Sequence, residues 1–424
     1  MRRTITLRNK IFENGGSLMN DLEKKLAALS PEQRVLLEKR LKQKGGAAAD
    51  TIAKNQGTVG ISESLKKKGM KFSLIFFSGD GSTDSVDKYR LLMESVKFGD
   101  RNGFQAVWTP ERHFQAVGGL YPNPSILSAA LATITDRIQL RAGSVVLPLH
   151  HPLRVAEEWS VVDNLSRGRA AISIATGWHP ADFILNPGNY DNRKEVMFEH
   201  LELIQKLWRG ESVPYKDISG QEVEVNILPK PVQPELPVFL TASGSPATWS
   251  KAGEMGFHVL CSLATHSLDM LKDRIQLYRE KRKEYGHDPD SGVVSVMLHT
   301  YVGEDDNEVK EMVRAPLRDY LNTFLGQYET LNPFQDDNSQ VRDVLDNSRD
   351  SLITFAFEKY FQISSLMGSK PKCAAMIERL HKLGVDEVSC LLDFGLEFDQ
   401  VMEGLKHLNQ LREMFVPAQE EVSV

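Results

Sequence analysis

Three residues of different chemistry, Glu111, Arg112 and His113, stand side by side just after the apolar run FQAVWT (104–109). A guanidinium stays charged at any working pH, so Arg112 can stabilise negative charge but cannot act as a general base. His113 can give or take a proton, and Glu111 can orient the imidazole or pair with the guanidinium. The same residues also fit a purely structural role at the end of a strand. Glu111 would then cap a helix or form a buried ion pair, and His113 would only be hydrogen-bonded.

The stretch AGSVVLPLHHP (142–152) includes the end of another predicted strand. It has small residues at positions where a barrel strand normally has bulky ones. Gly143 and Ser144 let another molecule approach the backbone closely. Two histidines follow at 150–151, but no further ligand stands at a recognisable metal-binding spacing. We therefore expect turn residues there and no metal site.

The stretch IATGWHPADF (174–183) combines a sharp turn with an aromatic side chain. Thr176 ends an apolar run, Gly177 permits the turn, and Trp178 can line a flat ring. His179 and Asp182 lie close together in the sequence. A purely structural turn is an equally good interpretation of these letters.

The stretch LTASGSPATW (240–249) has the composition of an anion cradle. A strand-like run ends here, Ser243, Gly244 and Ser245 form a turn, and Pro246 favours the first position of a helix. The N–H groups of such a turn and helix start, together with the two hydroxyls, can hold a phosphate. Many turns of this kind only cap a helix.

All four stretches follow apolar runs that alternate with helical patterns. The predicted strands cover 72–77, 104–109, 138–147, 169–176, 237–242, 257–263, 293–302 and 386–394. Such a repeat predicts an α/β protein with a (β/α)8 barrel and insertions, in which function resides at the carboxyl ends of the strands. A doubly wound open sheet is the competing fold.

Flanking segments complete the predicted organisation. It consists of a helical hairpin at 1–44, a flexible linker at 45–69, the barrel at 70–415 and a tail at 416–424. The hairpin is a possible docking or interdomain segment. Within the barrel, residues 210–235 have the pattern of a β-hairpin, and the polar, irregular insertion 326–351 is expected to close over the site as a lid.

The composition is that of an ordinary globular protein. Apolar residues make up 41% of the chain, charged residues 25%, and the net charge is −6, so nothing favours nucleic acid or an anionic membrane as a partner. No apolar run is long enough to span a bilayer, and three widely spaced cysteines fit a reducing compartment. We expect a cytoplasmic protein in which Cys261, Cys373 and Cys390 are small buried hydrophobes.

From about residue 70 to 410 the chain resembles the bacterial luciferase-like family of flavin-dependent monooxygenases. The resemblance rests on four ordered segments, which are GFQAVWTPERHF, residues 121–178, LTASGSPATW and LGVDEVSCLLDFG. More narrowly, the chain is similar to the branch associated with polyketide and nonribosomal peptide assembly lines. The resemblance implies a (β/α)8 barrel with reduced FMN as cofactor. It also implies that the cofactor is bound at the same positions as in the family.

Carried onto this chain, the family pattern places the flavin phosphate on the turn at 243–245. It places the isoalloxazine ring over the end of the third strand, where the family often has a non-prolyl cis peptide at the position of Gly143 and Ser144. The cofactor-binding residues implied in this way are Gly143, Ser144, Thr176, Gly177, Trp178, Ser243, Gly244 and Ser245.

The catalytic residues implied by the resemblance are Arg112, His113 and Glu111. Luciferase itself has Glu-His-His-Phe at this strand end, and its first histidine is catalytic. Arg112 stands at that position here, whereas His113 retains the second histidine. The change removes the luciferase-type base, so light emission from an aldehyde is not expected.

The resemblance further implies that a separate flavin reductase supplies reduced FMN, which reacts with O2 to a C4a-(hydro)peroxyflavin that transfers one oxygen atom. The expected substrate is an acyl or aminoacyl group tethered to a carrier protein, oxidised by hydroxylation or by oxygen insertion next to a carbonyl. The expected assembly is a homodimer. Two alternatives remain open: a deazaflavin-dependent hydride-transfer oxidoreductase of the same superfamily, and a non-catalytic flavin-binding assembly protein.

Overall fold

The computed structural model describes residues 61–77, 86–115, 117–264, 267–331, 353–354 and 356–417. The predicted hairpin at 1–44 lies outside these residues, as does most of the predicted tail. The predicted flexible linker is described only from residue 61, and there the prediction is wrong. Residues Glu63–Lys68 form helix α1, which begins at the N-cap Ser62 and fully buries Leu65. A single leucine among lysines shows no period, which is why the sequence pattern does not reveal this helix.

Eight parallel strands close into a barrel, which confirms the predicted fold and excludes an open sheet. The strands of the described chain are β1 (Lys71–Ile75), β2 (Ala106–Thr109), β3 (Gln139–Val146), β4 (Ala170–Ala175), β5 (Val213–Lys216), β6 (Glu222–Val225), β7 (Val238–Ala242), β8 (His258–Ser262), β9 (Val294–Gly303), β10 (Leu366–Ser369) and β11 (Glu387–Leu391). Around the barrel the order is β1, β2, β3, β4, β7, β8, β9 and β11, and β11 pairs with β1. All eight predicted strands are therefore present.

Helices cover the outside of the barrel and connect its strands. They are α2 (Arg90–Arg101), α3 (Pro124–Ala132), α4 (Pro152–Ser166), α5 (Arg193–Trp208), α6 (Pro246–Glu254), α7 (Leu268–Glu284), α8 (Asp306–Leu331), α9 (356–363), α10 (Lys370–Leu383) and α11 (Phe398–Glu413). Within the described ranges, no helix is long and apolar enough to cross a membrane.

The inside of the barrel is a packed core. Its apolar layer consists of Ile75, Trp108, Ala171, Phe239, Leu260 and Leu391. Towards the amino ends of the strands, Arg141 donates to both oxygens of Glu387 at 2.9 and 3.0 Å. Because side chains fill the interior, a ligand site is left to the carboxyl ends of the strands.

The remaining predictions have mixed outcomes. The predicted hairpin is confirmed, because β5 and β6 pair antiparallel. Of the insertion at 326–351, residues 326–331 are not irregular but continue α8, and residues 332–351 lie outside the described chain. The short strand β10 and the helix α11 have no counterpart in the sequence prediction. The three cysteines are buried and free, as expected.

Candidate active site

Glu111 is a buried carboxylate that joins the ends of β2 and β3. Its Oε1 accepts hydrogen bonds from His113 Nε2 at 2.8 Å and from His150 Nε2 at 2.5 Å. Its Oε2 accepts the backbone N–H of Val146 at 2.7 Å. The Glu111 side chain has no solvent exposure, so these three donors fix its position and the carboxylate in turn orients both imidazoles.

The same contacts set the charges in this cluster. Burial raises the pKa of Glu111, but hydrogen bonds from His113, from His150 and from the Val146 N–H outweigh burial and lower it. Burial lowers the pKa of His150, but its hydrogen bond with Glu111 and the negative charge of that carboxylate raise it above its usual value. Glu111 is therefore ionised at working pH and favours a protonated imidazole at His150.

Arg112 is held beside this cluster by packing. Only 3% of the residue is exposed, and its backbone N–H donates to the carbonyl of Tyr121 at 2.9 Å. The guanidinium carbon lies 5.0 Å from the ring centre of Trp178 and 5.7 Å from that of Phe77. Gly118 leaves room for the arginine stem, because a Cβ there would lie 2.5 Å from Arg112 Cγ. A fixed positive charge thus faces the indole at the end of β4.

The turn after β4 brings further titratable groups to this place. Gly177 has φ +73°, and a Cβ on it would lie 2.8 Å from Val146 Cγ1, so the position requires glycine. Trp178 is 39% exposed, and His179 Nδ1 accepts the N–H of Ala181 at 3.3 Å. Burial is the largest influence on the pKa of His179 and lowers it, an effect that Asp182 opposes and Arg112 reinforces.

Asp182 lies in the same turn and is buried. Its Oδ1 has no hydrogen-bond partner among the described residues. Burial raises the pKa of Asp182, although the charge of Arg112 opposes the shift. The ends of β2 and β4 therefore form one cluster that can hold and exchange protons next to a fixed guanidinium.

The ends of β3 and β7 meet through hydroxyl groups. The peptide bond between Gly143 and Ser144 is cis, as the resemblance implies. Ser144 Oγ is hydrogen-bonded to Thr241 Oγ1, which is also 2.6 Å from Ser173 Oγ. A Cβ at Gly143 would lie 3.2 Å from the Trp108 side chain, so the close packing favours glycine there, and Gly143 and Ser144 present backbone and one small hydroxyl.

The turn at 243–245 fits a phosphate. The carbonyl of Ser243 accepts Trp249 Nε1 and the carbonyl of Gly244 accepts Arg274 Nε, each at 3.1 Å. These contacts engage the turn's carbonyls, while Ser245, the N-cap of α6, makes no capping bond with its side chain. The serine hydroxyls and the backbone N–H groups of the turn and of Ala247 can therefore bind an anion, since Pro246 has no N–H and the Thr248 N–H donates to the Ser245 carbonyl. Arg274 adds a positive charge.

The structure brings all the predicted site residues to one end of the barrel. Contacts between side chains join the ends of β2, β3 and β4 through Glu111 and Arg112, and join β3 to β7 through Ser144. Sequence reasoning missed His150, Thr241 and Arg274 as members of the site. His150 was expected to be a turn residue, and no local pattern marks the other two, because each meets its partner only in the folded chain.

Residues 70–387 match the family model described as luciferase-like monooxygenase. The alkanal monooxygenase alpha chain of Photorhabdus luminescens is 25% identical over 329 residues, which are 74% of this chain and 88% of the relative. The oxygenase component of the flavin-dependent trigonelline monooxygenase of Acinetobacter baylyi is 23% identical, over 80% of this chain and 93% of the relative.

Among solved structures, the fold is similar to the oxygenating constituent of 3,6-diketocamphane monooxygenase from the CAM plasmid of Pseudomonas putida, a type II Baeyer-Villiger monooxygenase in complex with FMN. The TM-score is 0.65 and the identity 19%, with 82% of this chain and 100% of that chain covered. At this identity the likeness concerns the fold alone.

Proposed function

Since the chain belongs to the luciferase-like monooxygenase family, a family of flavin-dependent oxidoreductases, we propose that it is the oxygenase component of a two-component FMN-dependent monooxygenase. The observation that carries the choice of FMN is the turn at 243–245. Its engaged carbonyls, free N-cap hydroxyl and neighbouring Arg274 suit a phosphate dianion. When bound, reduced FMN supplies the electrons and activates O2.

The chain's own residues bind, orient and exchange protons. Ser243 and Ser245 hold the phosphate, and the small residues at the end of β3 leave a surface for a flat ring. Arg112 stabilises negative charge that develops beside the ring. His113, oriented by Glu111, gives or takes a proton at Nδ1, because Nε2 is engaged by the carboxylate.

We propose further that the substrate is an acyl or aminoacyl group tethered to a carrier protein in natural-product biosynthesis. This rests on the resemblance to assembly-line members of the family. A separate flavin reductase as partner is supported by the A. baylyi relative, whose name specifies an oxygenase component. A homodimer is the proposed assembly on the same family resemblance.

The test is a rapid-mixing experiment. Enzyme loaded with photoreduced FMN is mixed with oxygenated buffer, and the absorbance of oxidised flavin is followed. We expect its return to be delayed relative to free FMN, because the buried site protects the reacting flavin from water. Immediate return at the rate of free FMN contradicts an oxygenase. Binding of the deazaflavin F420 with no binding of FMN would support the hydride-transfer alternative instead.

A further inference from the structure

A fully buried histidine lies in the interior of β9, level with the carboxyl end of β11 and outside all the stretches that the sequence analysis selected. His299 is 1% exposed and pairs with Leu391, the last residue of β11. It stands two residues after Met297, which packs against the apolar layer inside the barrel. Because alternate residues of a strand face the same side, His299 lies on the inner side of β9, at the end of the barrel where Arg112 also lies.

The ring of His299 is enclosed by aromatic side chains. Its centre lies 4.5 Å from that of Tyr320 on α8, 5.2 Å from that of Tyr360 on α9 and 5.5 Å from that of Phe394 after β11. Nδ1 is 2.7 Å from the Tyr360 hydroxyl. Nε2 is buried and has no hydrogen-bond partner in the part of the chain that the structure describes.

The charge and the tautomer of His299 follow from these contacts. Burial lowers the pKa of His299 to about 3 and raises the pKa of Tyr360, so both groups are neutral at working pH. The phenol hydrogen needs an acceptor, and Nδ1 is the acceptor within reach. The imidazole hydrogen is then on Nε2, as an N–H donor without an acceptor among the described residues, a state that buried polar groups rarely keep.

His299 is linked to the candidate active site through two neighbouring strand ends. Asp393, next to Phe394, accepts the N–H of Phe77 at 3.0 Å and the hydroxyl of Tyr121 at 3.0 Å. Phe77 in turn packs against the guanidinium of Arg112. The unsatisfied donor and the fixed positive charge therefore belong to the same rim of the barrel, on the strands β9, β11, β1 and β2.

We propose that the Nε2–H of His299 donates a hydrogen bond to the carbonyl oxygen of a flat substrate. This rests on the proposed function and deepens it. A neutral donor among aromatic rings suits a neutral acceptor, whereas a carboxylate would need a positive charge, and none contacts His299 in the described chain. The proposal also selects the reaction, because a donor at the carbonyl oxygen stabilises the negative charge that forms when the carbonyl carbon is attacked.

The reaction selected is oxygen insertion next to the carbonyl. One atom of O2 enters between the carbonyl carbon and its neighbour, so that one C–C bond breaks and two C–O bonds form. The other atom leaves as water after taking two protons, and reduced FMN supplies the two electrons. Hydroxylation at a distant carbon would gain nothing from this donor.

The test compares two probes of the same shape on the FMN-loaded enzyme. Acetophenone carries a carbonyl, and α-methylstyrene carries C=CH2 in its place. We expect the enzyme to bind acetophenone roughly tenfold more tightly in equilibrium dialysis, since only the ketone satisfies the buried donor. The infrared stretch of 13C-labelled carbonyl should also lie lower in the bound ketone than in an apolar solvent.

Variants distinguish the loss of the His299 hydrogen-bond donor from a nonspecific effect of replacing a histidine. His299→Phe should abolish the preference and the infrared shift, whereas His299→Gln, which keeps an N–H donor, should retain part of both. His258→Phe is the matched control, because it removes another imidazole with a lowered pKa, of about 4, which is half-buried at the start of β8. It should leave the preference unchanged.

Equal binding of the two probes, no binding of acetophenone, or a preference that survives in His299→Phe would overturn the inference. For a variant that does not fold, the 15N spectrum of the wild-type histidines decides, since a hydrogen on His299 Nδ1 also overturns it. None of these measurements needs oxygen or turnover. A failure here with normal FMN binding and a delayed flavin oxidation leaves the proposed function standing.

Discussion

Replacing Glu111 by glutamine is the sharpest test of the charge arrangement at the end of β2. The variant keeps the shape of the side chain but removes its charge and turns one acceptor oxygen into an NH2 donor. In the structure, donors face both oxygens: the imidazoles face Oε1 and the Val146 N–H faces Oε2. The amide fits only with its oxygen towards the Val146 N–H and its NH2 group towards the imidazoles, which must then be neutral and accept through Nε2.

The expected cost follows from that geometry. The charge-assisted hydrogen bonds to the two imidazoles become neutral ones and both rings must carry their hydrogen on Nδ1, so we expect the free energy of unfolding to fall by about 1–3 kcal/mol. The pKa of His150 should fall as well. Burial lowers it in both proteins, and the raising effect of Glu111, which dominates in the wild type, is absent in the variant.

The sign of the pH dependence is also fixed. In the wild type the folded pKa of His150 is above the unfolded value of 6.5, so this contribution to stability is complete below 6.5 and is lost as pH rises through the folded pKa. In Glu111→Gln the folded pKa lies below 6.5, so protonation favours the unfolded chain. The stability difference between the two proteins should therefore be larger at about pH 6 than at about pH 8.

The assay is urea unfolding at both pH values, together with NMR titration of 13C-labelled histidine. Glu158→Gln is the matched control, because it removes the other carboxylate that raises the pKa of His150. The Glu158 side chain is partly exposed and paired with Arg154. We expect a clearly smaller fall in the pKa there. An unchanged pKa of His150 in Glu111→Gln, or an equal fall in both variants, would refute the reasoning.

Three further changes test the geometry of the site. Gly177→Ala should lower the free energy of unfolding by about 2–4 kcal/mol in urea unfolding, because it combines a positive φ with a clash. The control Gly210→Ala, with φ +83° and open space around it, should lower it by about 1 kcal/mol. Equal losses in the two variants would contradict the clash. Ser245→Asp should weaken FMN binding at least about tenfold in flavin fluorescence titrations and leave riboflavin binding nearly unchanged, and a parallel loss of both would argue against a phosphate at the turn. Arg112→Lys keeps the charge but loses the planar contact with the indole, so the hydrogen peroxide released per O2 consumed should rise several-fold, with FMN affinity as the control; unaltered release contradicts the assigned role.

The barrel could be predicted from sequence because its strands are buried on both faces. Such strands appear as short apolar runs at regular spacing, and their number defines the closed sheet. The missed elements lack that signal. Strand β10 has only four residues and contains Gly368 at φ +130°, and it pairs with the outer part of β9 rather than with the barrel core. Helix α11 is an exception, because the residues of its capping box, Glu397 and Gln400, are visible in the sequence and mark where the helix begins.

The site was predictable only as far as local motifs extend. A motif gives residue types at a strand end, and closeness of the strand ends follows from the fold. Neither the motif nor the fold predicts which side chains form hydrogen bonds with each other. Glu111 and His150 are 39 positions apart, and nothing in LPLHHP distinguishes a turn histidine from one that binds a buried carboxylate. Arg274 reaches the turn at 243–245 from α7, which follows α6 and β8 along the chain.

The histidines show why chemistry cannot be assigned by residue type. His150 is partly buried and His299 is fully buried at the same end of the barrel, and burial by itself lowers the pKa of each. A carboxylate beside His150 reverses the shift, whereas the aromatic neighbours of His299 leave it fully in place, with a pKa of about 3. The first imidazole can therefore carry charge at neutral pH, and the second can act only as a neutral donor. Exchanging the two environments, by adding a carboxylate near His299 through Phe394→Glu, should raise the pKa of His299 and destroy its preference for a ketone over the matching alkene. NMR titration and probe binding on that one variant measure both effects, and a raised pKa with the preference intact would show that neutrality is not what selects the ligand.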